Sequence, residues 1–505
     1  MGLWSSMKPA QYGDAVPVSP DSYHNDIWAA QAAIYREMWE YFNRDIFDET
    51  INAKSETKKY PLGVNLFEQA CVNHRACLMG EFGDDVLPFR VKSPNQDAVA
   101  VEQALDRIWV DSRRNSMMLQ GGLLAEILGG VVFRIQYNPY LKKIYVRLLQ
   151  PDSFFPVAAA DDPTNILECY VAFFIDARTA LLSYNVDVGD SAAGGALMTE
   201  HWTQDGFEVT VGGHPAYWDR GHQFPMAGPN RYADPRGGGK IVPFEYFPRD
   251  RADSFYGIPL GKNILDLERE YNSRAADMGD AQSDSTHQKV YIKNRPKGSQ
   301  GLDSVPRGNL INLGMDPPNK STIEVLPIKT SEIPASAVGW MDHLRQETRS
   351  GMYSPPVAFG QDEGSQRSAL TLSFRMWPMT QSVRTTRGFW GDSFQSLHTK
   401  LLIVAATHGG YGISDRHVGY RVLPTWAPML PRDREGEVNE VVVRRGVGLI
   451  SVETAIAKLE ERDTEWVQAE VERIKADQQD AAKLAIQTAQ ASKPKGETPP
   501  EKPKE

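Results

Sequence analysis

The stretch that decides the fold is GKNILDLEREYNSRAAD, residues 261–277, near the middle of the chain. Apolar residues recur through it at helical spacing, so the sequence predicts one long helix over residues 257–284. The predicted apolar face is formed by Ile264, Leu267, Tyr271, Ala275 and Met278. The other faces of this helix carry the charges: Asp266, Glu268, Arg269, Glu270, Arg274, Asp277 and Asp280.

A compact insertion follows this helix and precedes a second predicted helix at residues 335–349. The insertion, residues 288–326, alternates short apolar runs with Pro and Gly turns, which predicts strands at 290–293, 309–313 and 322–326. Two helices that flank a small β module place the module at the far end of a helical hairpin. The module is locally basic, with Lys289, Lys293, Arg295, Lys297, Arg307 and Lys320.

The chain after the second helix is predicted to be mostly helical. A loop rich in Pro and Gly, residues 351–366, leads into a long helical stretch at 367–407. Pro378 lies inside that stretch, and proline removes a backbone hydrogen bond, so we expect a kink near Trp377. Further predictions are a strand at 418–423, a helical segment at 451–483 with Ser451 as its N-cap, and disorder at 486–505.

The first half predicts an α+β body without a repeated βαβ unit. Residues 1–25 suggest an extended arm. Helical spacing predicts helices at 26–44, 65–82, 98–113 and 117–128. Alternating apolar residues predict strands at 87–91, 131–137, 143–149 and 169–175, and glycine-rich loops are expected at 187–195 and 212–239.

Composition limits the classes of function. The chain has 505 residues, 41% of them hydrophobic, and a formal net charge of −10, which excludes wholesale disorder and argues against a protein that coats nucleic acid. Three cysteines, Cys71, Cys77 and Cys169, suggest a reducing cytoplasm and no disulfide framework. The most apolar stretches, 121–133 (broken by Glu126) and 401–406, are too short to span a membrane, and no secretory signal is evident.

Catalytic and metal-binding patterns are weak. Gly189-Asp190-Ser191 is better explained as a loop than as a serine nucleophile, and Gly237-Gly238-Gly239-Lys240 lacks the Ser or Thr of a phosphate loop. Two groups of residues could be considered as metal sites. Cys71, His74 and Cys77 are better explained as a buried cluster, and His214, Asp219 and His222 as part of a loop. We therefore expect no enzyme activity and no cofactor.

The order of elements resembles the portal proteins of tailed bacteriophages over roughly residues 60–480. IVPF at 241–244 and FYG at 255–257 lead into the 261–277 stretch, which looks like the entry to the portal stem helix. The sequence GMYSPPVAFGQDEGSQRSA at 351–369 is similar to the family's tunnel loop, and LLQPDSFFPV at 148–157 resembles a wing segment.

The resemblance implies a portal fold with several parts. These are an N-terminal arm at 1–25, a wing at 26–256, stem helices at 257–287 and 331–350, a β-rich clip at 288–330, a tunnel loop at 351–368, a kinked long helix with the second part of the wing at 369–430, a crown at 431–485 and a disordered tail at 486–505. The role of the 185–240 region and of the arm is not specified by the resemblance.

The resemblance also implies a function and partners. The chain would form a ring, twelvefold in the assembled family, at one capsid vertex of the virion after assembly in the host cytoplasm. It would conduct double-stranded DNA without sequence specificity and contact the major capsid protein, a scaffold protein, the large terminase subunit and a head-tail adaptor, with no membrane. The alternatives are another ring-shaped collar or neck protein and a metal-dependent hydrolase or nuclease.

Two sets of residues are assigned through this resemblance. The tunnel-loop candidates that would surround DNA are Phe359, Gln361, Asp362, Glu363, Gln366 and Arg367, with an ordinary surface loop between helices as the alternative. The six cations of the insertion would contact DNA or an acidic motor surface, with a merely solvated face as the alternative.

Overall fold

Helices and several small sheets make up the protein, whose contacts divide it into two units, residues 1–430 and 431–505. A computed structural model describes residues 8–9, 22–43, 63–93, 95, 97–189, 195–251, 254–286, 290–293, 310–312, 324–327, 334–361, 369–430, 434–460 and 464–491. Helices and strands thus share the first unit, and the second is described as helices only, which agrees with the predicted α+β class.

The first unit begins with an α+β body. Its helices α1 to α5 are Ser22–Asn43, Leu66–Met79, Ala98–Asp111, Arg114–Leu128 and Ala177–Tyr184. Its strands β1 to β13 are Lys8–Pro9, Phe89–Lys92, Gly130–Asn138, Lys143–Leu149, Phe154–Ala158, Ile166–Ile175, Ala196–Trp202, Gly206–Val211, His214–Pro215, Ala227–Pro229, Ala233–Asp234, Gly239–Lys240 and Phe244–Pro248.

The remaining elements follow in chain order. The first unit continues with α6 (Leu265–Thr286), β14 (Val290–Lys293), β15 (Leu310–Asn312), β16 (Glu324–Pro327), α7 (Ala335–Gly351), α8 (Ala369–Arg375), α9 (Trp377–His408) and β17 (Arg421–Pro424). The second unit contains α10 (Arg434–Gly446), α11 (Val452–Glu460) and α12 (Thr464–Ala491).

Sheet pairing joins distant parts of the chain. One sheet has the order β1-β6-β7-β8-β10, with β5 on β6 and β9 on β8. The predicted hairpin of β3 and β4 is confirmed, and β13 adds to it on the β3 side. Strand β17 pairs with β2 in antiparallel register, Val422 opposite Val91. The core between these sheets and α9 is aromatic, with Phe133 and Phe247 at 4.6 Å between ring centroids.

The insertion forms a small sheet in the order β15-β14-β16, parallel on one side and antiparallel on the other. Its strands lie where the sequence predicts them. The flanking helices α6 and α7 contact each other. The side chains of the insertion lie outside the described residues.

The predicted start of the first long helix is wrong, because α6 begins at Leu265 rather than at residue 257. Residues 254–264 run irregularly along the end of α4, where the amide of Leu260 donates to the carbonyl of Glu126 (3.0 Å). A Cβ atom on Gly257 would lie 1.9 Å from the carbonyl oxygen of Gly129, so only glycine permits this approach of the two backbones. The contact of residues 254–264 with the end of α4 therefore prevents this segment from forming the helix that its apolar spacing predicts.

The predicted apolar face of this helix is also wrong for the residues within α6, although Ile264, just before it, is buried as predicted. The buried residues are Leu265, Glu268, Asn272 and Ala276, whereas Leu267, Tyr271, Ala275 and Met278 are only half-buried. Glu268, which the helical pattern places on a charged outer face, is completely buried. The helix is rotated because its polar residues fasten it to α2, as described below.

Other boundaries need correction. Helix α1 begins at Ser22, inside the predicted arm, and α12 continues to Ala491, inside the predicted disordered tail. The predicted helix at 451–483 is two helices, α11 and α12, although Ser451 accepts the amide hydrogen of Thr454 (3.1 Å) as its N-cap. Helix α10 was not predicted, and the 212–239 loop contains the short strands β9 to β12.

Candidate functional site

The segment that follows α7 is an ordered turn for its first ten residues. Tyr353 has φ of 53° and Gly360 has φ of 73°, so both residues adopt the left-handed conformation. Between them, Pro355 and Pro356 start a short 3₁₀ helix, Pro356–Phe359. Proline suits such a start because its φ is fixed and it has no amide hydrogen to satisfy.

Helix α2 holds this turn. The side-chain amide of Asn73 donates to the carbonyl of Ala358 (2.9 Å). His74 Nε2 donates to the carbonyl of Met352 (3.0 Å) and lies 3.2 Å from the hydroxyl of Ser354. Burial and the nearby Arg249 lower the pKa of His74 to about 3, so its ring is neutral near pH 7.

Arg349 in the last turn of α7 contacts both described tunnel-loop candidates. Its Nη1 donates to Oε1 of Gln361 (2.8 Å), and its guanidinium lies over the ring of Phe359, 4.5 Å from the centroid. Phe359 is therefore packed against the core instead of standing at a loop tip. The other candidates of this set, Asp362, Glu363, Gln366 and Arg367, lie outside the described residues.

A recess of about 510 Å³ opens between the end of α7, the turn and the start of α9. Its polar wall includes Asp342, Arg345, Arg349, Tyr353 and Gln361. Pro378 closes it on the α9 side. The guanidinium of Arg345 donates to Asp342 (2.7 Å), and the pKa of Arg349 is lowered, first by burial and then by repulsion from Arg345.

A buried ion pair, Arg249 with Glu126, lies next to the His74 side chain that holds the turn. Arg249, at the end of β13, donates through Nε to Glu126 of α4 (2.6 Å) and through Nη2 to Ser382 of α9 (2.9 Å). Burial raises the pKa of Glu126, and Arg249 opposes that rise. His74 Nδ1 lies 3.9 Å from the same carboxylate, so the pair and the turn share one polar cluster. In the sequence, Glu126 is evident only as a break in an apolar run.

Helix α6 is fastened to α2 by two buried polar side chains. Glu268 accepts the amide hydrogens of Leu66 (2.6 Å) and Phe67 (3.2 Å), the first residues of α2. Asn272 accepts from the amide of Val64 (2.8 Å) and donates to its carbonyl (3.1 Å). A carboxylate suits the N-terminus of a helix, where amide hydrogens lack intrahelical acceptors. Burial raises the pKa of Glu268 to about 7.

The predicted basic contacts of the insertion remain predictions. Lys293 is the last residue of β14, opposite Glu324 of β16 in the register. Lys289, Arg295, Lys297, Arg307 and Lys320 lie outside the described residues.

The predicted kink region has two helices in place of one. Helix α8 ends at Arg375 and α9 begins at Trp377, with Met376 between them and Pro378 in the first turn of α9. Proline is tolerated at such a position because the backbone amides of the first turn have no intrahelical acceptor, so a missing amide hydrogen costs no hydrogen bond. Trp377 is exposed, and the guanidinium of Arg384 lies 5.6 Å from its ring centroid.

The weak metal patterns have structural explanations. Cys71, His74 and Cys77 are buried in the core, and the hydrogen bonds of His74 are those to the turn. Asp219 accepts the amides of Gln223 (3.0 Å) and Phe224 (2.8 Å) within its own loop. The Gly239–Lys240 segment pairs with β11 as a small hairpin, and Ser191 lies outside the described residues. In the part of the chain that the structure describes, no group of three His, Cys, Asp or Glu residues could hold a metal ion.

The described residues thus combine an ordered turn, a polar recess and two helices, α6 and α7, that flank a small sheet. The family model described as "Phage portal protein, SPP1 Gp6-like" matches residues 22–484. The chain therefore belongs to this family of phage portal proteins, which are head-tail connector components of the virion and act in genome packaging. A search of curated proteins found no match. None of the described helices is long and apolar enough to cross a lipid bilayer.

Proposed function

We propose that this protein forms a closed ring at one vertex of the phage capsid and conducts double-stranded DNA through its axis. The family match over residues 22–484 carries this proposal. The ring is twelvefold, as the resemblance implies, and the protein acts without catalysis or cofactor.

The arrangement of helices supports the proposed parts of a portal. In this proposal α6 and α7 are the stem, the β14–β16 sheet is the clip, and residues 351–368 are the tunnel loop. The α+β body is the wing, and the helices of the second unit belong to the crown. Anchoring of the turn by Asn73 and His74 would fix the start of the tunnel loop relative to the wing.

The net charge of −10 suits a conduit. Tight binding to DNA requires many cations that neutralise phosphates and release counterions. An acidic chain gains less binding free energy in this way, so DNA can slide. The insertion, where cations gather, would contact DNA or the acidic surface of the terminase motor. The wing would contact capsid and scaffold proteins, and the clip would later bind a head-tail adaptor.

Imaging of the purified protein by negative-stain electron microscopy tests the ring. We expect cone-shaped particles with a central hole. Protein that stays monomeric at every concentration and salt tested would overturn the proposal. Incubation with DNA and divalent metal is the companion measurement, because metal-dependent cleavage would favour a nuclease.

Deletion of residues 360–364 tests the tunnel loop. We expect rings to assemble, because the contacts of Asn73 and His74 precede the deletion, while DNA packaging into capsids falls. Packaging at the normal level would contradict the assignment.

Charge reversal at Lys293 and Arg295 tests the basic insertion. We expect a lower packaging yield with rings still formed. An unchanged yield would leave the insertion cations as a solvated face.

A further inference from the structure

The recess at the end of α7 contains a buried cation, Arg349, to which the described residues provide an incomplete set of partners. Arg349 is 8% exposed. Among the described residues, its Nε has no hydrogen-bond acceptor, and Nη1 is bonded to the neutral amide of Gln361. A buried charge without an opposite charge is costly, so such a group usually has an anionic partner.

The recess is arranged for an anion. Arg345 and Arg349 are one helical turn apart on α7 and both face the cavity. Their mutual repulsion is part of the reason for the lowered pKa of Arg349. Asp342 contacts Arg345 at 2.7 Å, but its side chain is 62% exposed, so this pair neutralises the recess weakly.

The burial of Arg349 limits which anions can reach its guanidinium group. A DNA duplex is a stiff rod with its phosphates on the outer surface, and it cannot insert one phosphate into a recess of about 510 Å³. A protruding carboxylate on a side chain can enter such a space and form a bidentate contact with a guanidinium.

Helix α6 presents carboxylates with the right exposure. Asp266, Glu270 and Asp277 are spaced by four and seven residues, so they lie on one side of the helix. The Asp266 side chain is 96% exposed, and its 3.0 Å contact with Arg269 lies within one helix. Exposed pairs of this kind contribute little free energy, so Asp266 can exchange this contact for another.

In a ring, the start of α6 in a neighbouring copy would lie at the same height as the recess. A Cβ atom on Gly351 would lie 2.4 Å from Cγ2 of Ile264, so the end of α7 and the start of α6 are adjacent. Rotation about a ring axis carries each residue to the same height in the next subunit. The start of a neighbour's α6 is then level with the recess.

We propose that the recess of Arg345 and Arg349 binds Asp266 from α6 of the neighbouring copy, so that the site is completed only in the ring. This inference rests on the proposed ring and identifies one contact that closes it. It also gives the acidic side of α6 a partner in the basic end of α7.

A mixing experiment tests the contact. At each interface, Arg349→Glu would add a second carboxylate to that of Asp266, and Asp266→Arg would add a third cation to Arg345 and Arg349. We expect each variant alone to give at least a tenfold smaller fraction of rings than the wild type by light scattering and negative-stain imaging. An equal mixture should restore rings that contain both variants in equal numbers by native mass spectrometry.

Controls separate folding from assembly. Lys262→Glu changes an exposed cation in the irregular segment just before α6 and should assemble as the wild type does. Circular dichroism checks each variant for folding. Arg345→Glu, at a side chain that is 39% exposed, is the second variant of the recess and should also be rescued by Asp266→Arg.

Three results would overturn the inference. The first is a wild-type ring yield from both Arg349→Glu and Arg345→Glu, and the second is a wild-type ring yield from Asp266→Arg. The third is rescue when Arg349→Glu and Asp266→Arg are in one chain, without rescue when the two single variants are mixed. The last result would place the acidic partner in the same chain. Each leaves the proposed ring intact, whereas a wild-type protein that forms no rings would remove the proposed function itself.

Discussion

Two nearly buried arginines, in different regions of the first unit, have opposite kinds of surroundings. Arg249 is 4% exposed and Arg349 is 8% exposed. Arg249 contacts the carboxylate of Glu126 at 2.6 Å, and Ser382 accepts a further hydrogen bond. Arg349 contacts only the amide of Gln361 and the face of Phe359 through its described partners. A carboxylate of the same chain neutralises Arg249, whereas Arg349 is bonded to no carboxylate among the described residues.

The largest expected effect comes from breaking the complete pair. Glu126→Ala leaves Arg249 buried without its carboxylate, and loss of one partner of a buried pair costs about 3–5 kcal/mol. We expect the free energy of unfolding of the variant to fall by that amount in urea denaturation followed by circular dichroism.

Two further variants check this expectation. Glu81→Ala, at an exposed position, should change the stability by less than about 0.5 kcal/mol. The double variant Glu126→Leu with Arg249→Met should be more stable than Glu126→Ala, because it leaves no isolated charge. A Glu126→Ala protein as stable as the wild type would show that Arg249 does not depend on this carboxylate.

Glu268 extends the comparison of buried charges to an acidic side chain. Glu268 is held by two backbone amides, and burial raises its pKa from 4.5 to about 7. Between these two values the folded state binds more protons than the unfolded state, so the contribution of Glu268 falls as pH rises from about 4.5 to 7 and is constant above. The total change is roughly 3 kcal/mol.

Glu268→Gln should remove this pH dependence, because an uncharged amide oxygen can still accept from Leu66 and Phe67. We expect the variant to gain stability over the wild type as pH rises toward 8, measured by thermal unfolding at a series of pH values. Glu270→Gln, on the same helix with a side chain that is 42% exposed, is the control and should keep the wild-type slope. A parallel slope for Glu268→Gln and wild type would contradict the raised pKa.

Arg349→Met should have a smaller effect on the stability of the isolated chain than Glu126→Ala. It removes one hydrogen bond to an amide and one cation–π contact but leaves no buried charge, so we expect a loss of about 1 kcal/mol. Chemical denaturation under conditions that favour monomers measures it, and Arg384→Met, over the ring of Trp377, is the exposed counterpart. A loss as large as that of Glu126→Ala would make the two arginines equivalent.

Gln361→Ala gives the smallest expected change. It removes the neutral acceptor of Arg349, and because Gln361 is exposed we expect a loss below about 1 kcal/mol. Ring yield should stay at the wild-type level if Asp266 of a neighbour is the main partner of Arg349.

The local elements were predictable from the sequence because local periodicity encodes them. The helix α3, the β3–β4 hairpin, the strand β14 and the cap at Ser451 all follow from residues close together in the chain. The order of these elements was enough for the resemblance to portal proteins, which the family match confirms.

The candidate site could be predicted only in outline. The sequence identified Phe359 and Gln361 in a loop, but their contact with Arg349 depends on the left-handed turn at Tyr353 and on anchoring by α2. Arg349 itself has an ordinary place in a helical pattern. No local signal marks it as a buried cation.

The sequence by itself determined the kinds of elements, their order and the family. Only the tertiary structure decided which polar residues are buried: Glu268 against the start of α2, Glu126 against Arg249, and Arg349 at the recess. The physical reason is that burial of a charge depends on partners far away in the sequence, such as Leu66 for Glu268. Helical spacing reports only neighbours within a few residues, so it assigned Glu268 to solvent and began α6 too early.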